Sequence, residues 1–155
     1  MIYIFDTTAF ITIFRFYYRN CFPSFWEKFD AFIGQKRILS TRENYREIGP
    51  QTEALIQWAQ IHKDIFQEPT VEEALFVKEI YRIPHFQGNI EKKKLWKGGF
   101  NADAFVIAKA KVMRGTVVTD ESFMPNAARI PNICGYFGIP CLNLKEFMEQ
   151  EHWTF

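Results

Sequence analysis

At 155 residues and 18.4 kDa the chain fits a single domain, residues 1–155, large enough to bury roughly 70% of its unfolded surface. A net charge of +1 and a pI near 7.7 exclude a global basic field, so any nucleic-acid contact must come from a local patch. Cys21, Cys134 and Cys141 lack CxxC or Cys/His metal spacing, which argues against structural zinc and for reduced intracellular thiols.

The apolar N-terminus is interrupted by Asp6 and Arg15 and lacks both a basic leader and a small-residue cleavage site, so no signal peptide is expected. No apolar run reaches membrane-spanning length, and a soluble cytoplasmic protein with no membrane partner is expected. The 17 Phe, 4 Trp and 6 Tyr are read first as core, with some open to stacking on bases or a partner.

In chain order, Met1 to Phe5 reads as a buried parallel strand ending in Asp6, followed by a helix from about Thr8 to Arg19. Pro23 opens a helix whose Phe25, Trp26, Phe29, Phe32 and Ile33 share one face, with Gly34 as its cap. Ile38 and Leu39 form a second strand, and Ser40 or Thr41 N-caps a helix carrying Glu43 and Glu47. Pro50 suits the first turn of the helix holding Leu55 to Ile61. Thr70 to Glu73 fits a capping box for a helix ending before Pro84. Pro84 to Gly99 reads as the least regular stretch.

Asn101 reads as the N-cap of a helix with Asp103 in its first turn, ended by Gly115. Thr116 to Thr119 is the next strand, delivering Asp120 and Glu121 beyond its end. A short helix over 132–137 stops at Gly138, a last strand covers 139–142, and a last helix covers 145–151. Alternating strands and helices predict an α/β domain: a central parallel twisted sheet of four to five short strands with helices on both faces.

Four places now offer acids at comparable positions: Asp6, Glu43/Glu47, Asp103 and Asp120/Glu121. Glu43 and Glu47 are spaced to share a helix face, and the positive helix end favours Asp103. Each acid has a plain alternative: Asp6 as a helix cap, the glutamates as surface acids, Asp103 as a first-turn charge, Asp120 and Glu121 as loop acids. Jointly they repel one another, and a divalent cation relieves that. Mg²⁺ or Mn²⁺ prefers oxygen ligands and keeps waters, and such ions assist phosphodiester cleavage.

The ordered set Ile2 to Thr8, Ser40 to Ile48, Ala102 to Ala108 and Val117 to Glu121 resembles the four motifs of a PIN domain. The stretches Ile130-Pro-Asn-Ile-Cys134 and Gly138 to Leu142 also resemble a PIN-like bacterial subfamily of uncharacterised proteins. The likeness spans nearly the whole chain. It implies a PIN-like fold and a metal-dependent endoribonuclease, commonly the VapC-type toxin of a toxin–antitoxin pair, leaving 5′-phosphate and 3′-hydroxyl ends. It further implies Mg²⁺ or Mn²⁺ held by the acids, an RNA substrate, an antitoxin partner and often a homodimer. Carried over singly, Asp6 matches the first acid and Asp103 the third. Glu47, followed by Ile48, matches the second better than Glu43, which remains a helper. Asp120 and Glu121 both stand at the fourth, with Asp120 taken as the catalytic acid. Thr8 and Thr119 match small hydroxyl positions that orient the acids.

Lys92, Lys93, Lys94 and Lys97, flanked by Trp96 and Phe100, form the densest basic run and could grip RNA; a solvated polar segment is the competing reading. Arg15, Arg19, Arg42 and Arg46 are further phosphate candidates, while His62, His85 and His152 are scattered away from any nucleophile. Two rival functions stand beside the nuclease. One is a catalytically weak scaffold that binds protein or RNA; the other is a metal-dependent phosphatase or DNase on the same acids.

Overall fold

The structure, a computed structural model, describes residues 1–50, 52–90 and 101–155 in full and the backbone of 91–96. Among the described residues five short strands pair in parallel: β1 (Tyr3–Phe5), β2 (Ile38–Thr41), β3 (Phe66–Gln67), β4 (Thr116–Val118) and β5 (Cys141–Leu142). Their order is β3-β2-β1-β4-β5. Tyr3 lies in register with Ile38 on one side and Thr116 on the other, so β1 is central. The chain builds outward from β1 to β3, then returns across β1 to lay down β4 and β5. The direction of winding therefore reverses between β1 and β4, where open α/β sheets form a crevice beyond the strands' carboxyl ends.

The helices are α1 (Thr7–Phe16), α2 (Pro23–Gly34), α3 (Arg42–Glu47), α4 (Glu53–Ile61), α5 (Val71–Tyr81), α6 (Pro84–Trp96), α7 (Asp103–Met113), α8 (Ile130–Phe137) and α9 (Leu144–Gln150). Alternation along β1 sends Tyr3 and Phe5 to one face and Ile4 to the other. The Phe5 ring lies 5.4 Å from Phe10 of α1, 6.3 Å from Phe29 of α2 and 5.2 Å from Phe147 of α9. Trp58 of α4 and Phe66 of β3 extend this aromatic layer. All five apolar residues expected on one face of α2 are buried. Each such side chain contributes about 1.5–3 kcal/mol of burial, which accounts for most of the aromatic content.

Helix α7 packs on β1, β2 and β4, and α5 packs on α7. Between these two helices Lys109 and Glu73 form a buried ion pair at 3.7 Å, and burial lowers the affinity of the Lys109 amine for its proton. Glu73 also completes the capping box with Thr70 that the sequence predicts. Arg114 takes the left-handed conformation that ends α7, at φ 55°. Gly115 follows because a Cβ there would stand 2.8 Å from the Ile2 carbonyl oxygen.

Several local expectations change. Pro84 to Trp96, expected to be irregular, is helix α6, with Pro84 as its first residue. Its buried positions include Phe86 and Asn89, three apart, and the amide hides the helical period. Pro50 precedes α4 instead of entering its first turn, and Thr52 occupies the N-cap. Gly34 is the last residue of α2, and the chain reverses at Lys36 with φ 58°. Strand β3 was not expected, since two residues carry no alternation to read.

Candidate functional site

Asp6 is fully buried at the carboxyl end of β1, beside the reversal point, and its N–H continues the ladder to the Val118 carbonyl at 2.9 Å. It holds the N-cap position of α1, yet its carboxylate makes no cap bond to the helix backbone. Its partners are side chains. Thr8 and Thr119 hydroxyls donate to Oδ2 at 2.8 and 3.1 Å, and the Asn44 amide donates to Oδ1 at 3.2 Å. Each threonine oxygen in turn accepts a backbone N–H, from Asp120 for Thr8 and from Glu121 for Thr119, both at 3.1 Å. The two threonine oxygens also lie 3.3 Å apart, so the hydroxyls form a small cluster around Asp6 Oδ2.

Helix α3 brings in the second acid. Thr41 N-caps it by accepting the Asn44 N–H, and also donates its hydroxyl to Asn44 Oδ1 at 2.6 Å. This fixes the Asn44 amide nitrogen toward both Asp6 and Thr7 Oγ1, the latter at 2.9 Å. The Thr7 hydroxyl donates to Glu47 Oε2 at 2.9 Å, and Glu47 Oε1 accepts the Ala102 N–H at 3.2 Å. Glu47 thereby bridges the start of α1 to the residue before Asp103. Glu43 instead accepts from its neighbour Arg42, at 2.9 Å, and its buried Oε2 has no hydrogen-bond partner among the described residues.

Asp103 is fully buried in the first turn of α7. Asn101, expected as the N-cap, lies one residue earlier, with Ala102 at the cap. Its side-chain oxygen still accepts the Asp103 N–H at 3.2 Å. Asn89 of α6 donates to Asp103 Oδ2 at 3.0 Å.

The two candidates for the fourth acid diverge. Asp120 is exposed and accepts from the Thr12 hydroxyl, and its charge helps raise Tyr17, after burial of that ring. Glu121 turns inward, accepting the Ile130 N–H at the start of α8 at 3.0 Å. Cys134 of α8 is buried; a contact with the Cys141 thiol, then burial, raise its pKa, and the charges of Asp103 and Glu121 add to this. The charges of both Glu121 and Asp103 act on this thiol, while Asp120 bonds to Thr12 of α1.

Asp6, Glu47, Asp103 and Glu121 are drawn into one neighbourhood, with Thr8 and Thr119 on Asp6. Glu43 and Asp120 stand at its margins. The side chains of Lys92, Lys93, Lys94 and Trp96, and the whole of Lys97 and Phe100, lie outside the described residues. The sequence reading missed the two amides, Asn44 and Asn89. A faint signal existed, since each sits where its helix period asks for a buried residue.

The acids offer carboxylate oxygens, the ligand type a hard cation selects, while the neighbouring hydroxyls and amide nitrogens donate to them. Among the described residues no group of three or more Asp, Glu, His and Cys side chains is gathered closely enough to cage an ion. The acids stand instead as members of polar chains: Asp6–Asn44–Thr7–Glu47 and Asn89–Asp103.

A family model described as a domain of unknown function, DUF4411, matches residues 3–155. The chain belongs to the DUF4411 family. No curated protein matches it. Among solved structures, this DUF4411 chain is similar to one in the crystal structure of VapBC2 from Rickettsia felis bound to a DNA fragment from their promoter. The pair share 13% identity with a TM-score of 0.51, over 92% of this chain and 98% of that one. At that identity the likeness is one of fold. The PIN-like fold implied by the ordered motifs is the fold of this DUF4411 chain. Among the described residues no helix is long and apolar enough to cross a membrane.

Proposed function

We propose that this chain is a metal-dependent endoribonuclease, the toxin of a toxin–antitoxin pair. The observation that carries the reading is Asp6: a fully buried carboxylate at the sheet's crevice, held by three neutral donors and linked through Asn44 and Thr7 to Glu47. Burying a charge without a cationic partner is costly, and a bound cation offsets that cost.

Asp6, Glu47, Asp103 and Glu121 would hold Mg²⁺ or Mn²⁺, with Asp120 or Glu43 assisting from the margins. The ion when bound lowers the pKa of water and neutralises phosphate charge. Thr8, Thr119 and Asn44 keep Asp6 in one orientation, and Thr7 and the Ala102 N–H do the same for Glu47. Substrate phosphate enters at the strands' carboxyl ends; water adds to phosphorus and the 3′-oxygen leaves, giving 5′-phosphate and 3′-hydroxyl ends. The basic run Lys92, Lys93, Lys94 and Lys97, with Trp96, is proposed to hold the RNA backbone and stack a base. The fold likeness to a member of a VapBC pair supports an antitoxin protein as partner.

The test is cleavage of labelled RNA with Mg²⁺ or Mn²⁺ by the wild type and by Asp6→Asn and Asp103→Asn. Loss in both variants, and in the wild type with EDTA, is expected; cleavage that survives both changes removes the site. A second reading, a catalytically weak binding scaffold, draws on the absence of a gathered cage among the described residues. A wild type that neither binds Mn²⁺ nor cuts RNA, and that captures a partner through its surface, would favour it.

A further inference from the structure

Asn89 of α6 is 2% exposed, a polar side chain buried one turn after Phe86. Its amide uses all four of its hydrogen-bonding positions. Nδ2 donates to Asp103 Oδ2 and to the Ala128 carbonyl, both at 3.0 Å. Oδ1 accepts from the Tyr81 hydroxyl at 3.0 Å and from Asn101 Nδ2 at 3.2 Å. Asn101 also donates to the Tyr81 oxygen at 2.8 Å, closing a ring of three side chains.

This pattern admits one orientation. A carboxylate and a carbonyl are pure acceptors, so the nitrogen must face them, and the oxygen must face the two donors. A buried amide satisfied on every side is locked, and a partly satisfied one would be costly. Its one charged partner is Asp103. The same amide holds Ala128, in the loop that leaves Glu121, while His85 of α6 lies 3.3 Å from the Ala127 carbonyl. Helix α6 therefore joins the third acid to the loop behind the fourth.

Resting on the nuclease reading above, we propose that Asn89 is the positioning residue for Asp103, with Tyr81 and Asn101 fixing its amide. Asn89 does for the third acid what Asn44 does for the first. Helix α6 is thereby part of the site's framework and not a mere covering of the core.

The test uses the full chain and two readouts, Mn²⁺ titration followed by electron paramagnetic resonance and steady-state cleavage of an RNA oligonucleotide. Asn89→Leu keeps the volume and removes the donor. Mn²⁺ affinity is expected to weaken ~10–100-fold, the range for partners of metal ligands. The turnover number kcat should fall comparably while KM for RNA stays within about twofold, the signature of a lost interaction at the reacting centre. Tyr81→Phe leaves the Asn89–Asp103 bond in place and frees the amide to tilt, so a smaller loss in the same direction is expected. Phe147→Leu, in the aromatic layer under β1, serves as the control for stability, with a lowered Tm and unchanged Mn²⁺ affinity. Wild-type Mn²⁺ affinity in Asn89→Leu, or an equal loss in Phe147→Leu, overturns the assignment and leaves the nuclease reading intact. A wild type that neither binds Mn²⁺ nor cuts RNA overturns both.

Discussion

The two ends of β1 handle a carboxylate in opposite ways. At the amino end, Glu151 accepts from the Tyr3 hydroxyl at 2.5 Å and pairs with Arg37 at 2.8 Å. At the carboxyl end, Asp6 is more deeply buried, yet among the described residues no ion pair includes it; its partners are two hydroxyls and an amide. The first arrangement cancels charge and ties α9 to the sheet. The second orients charge without cancelling it. Neutral donors hold a carboxylate still while leaving its field available to a cation, whereas an arginine would consume that field. Under the proposed nuclease reading, the amino end serves stability and the carboxyl end chemistry.

Substitutions at the two ends should therefore separate stability from activity. Asp6→Asn is expected to lower RNA cleavage on the order of 10²–10³-fold or more, as for removal of a principal electrostatic group. Its Tm should hold or rise, because an unneutralised buried charge is removed. A Tm drop as large as that of a core truncation, measured by thermal unfolding, would make Asp6 structural and erase the contrast. Next, Asn44→Leu should weaken Mn²⁺ binding ~10–100-fold through misorientation of Asp6 and Glu47, read by the same titration. At the opposite end, Glu151→Gln should cost about 1–2 kcal/mol in urea unfolding, the scale of a lost charged hydrogen bond, with Mn²⁺ affinity unchanged.

The smallest effect is alkaline. Burial and then the Glu151 hydrogen bond push the Tyr3 hydroxyl up to about 12 from an ordinary 10.0. A folded-state value above the unfolded one contributes stability that is full below pH 10 and lost as pH rises from 10 to 12. Tyr3→Phe should flatten that part of the stability profile; an unchanged slope would show that another group titrates there.

Much of the framework was legible because it rests on local rules. The apolar run ending at Asp6, the one-faced aromatics of α2, the Thr70 capping box and the left-handed stop at Gly138 each follow from periodicity or backbone chemistry. Helix α6 was not legible, and the reason bears on the site. Asn89 takes a position where the helical period asks for an apolar side chain, because the surface it meets is an acid and not a hydrophobic core. The same holds for Asn44 on the short helix α3. A buried amide reads as polar in sequence, so the residues that serve the acids also blur the pattern of the helices carrying them.

Sequence alone determined the order of the strands and helices other than β3 and α6, the strand-end position of Asp6 and the residue types available to a hard cation. These depend on near neighbours and on which groups water rejects. Tertiary structure decided which acids turn toward the crevice and which turn away. Glu47 reaches Thr7 and Ala102 while Glu43 turns to Arg42, and Glu121 turns in toward α8 while Asp120 turns out. In each pair the residues are alike in chemistry and close in sequence. Only the packing of α1, α7 and α8 around the end of β1 gives Glu47 the Thr7 hydroxyl and the Ala102 N–H and gives Glu121 the Ile130 N–H, because a hydrogen bond is directional and spacing along the chain is not.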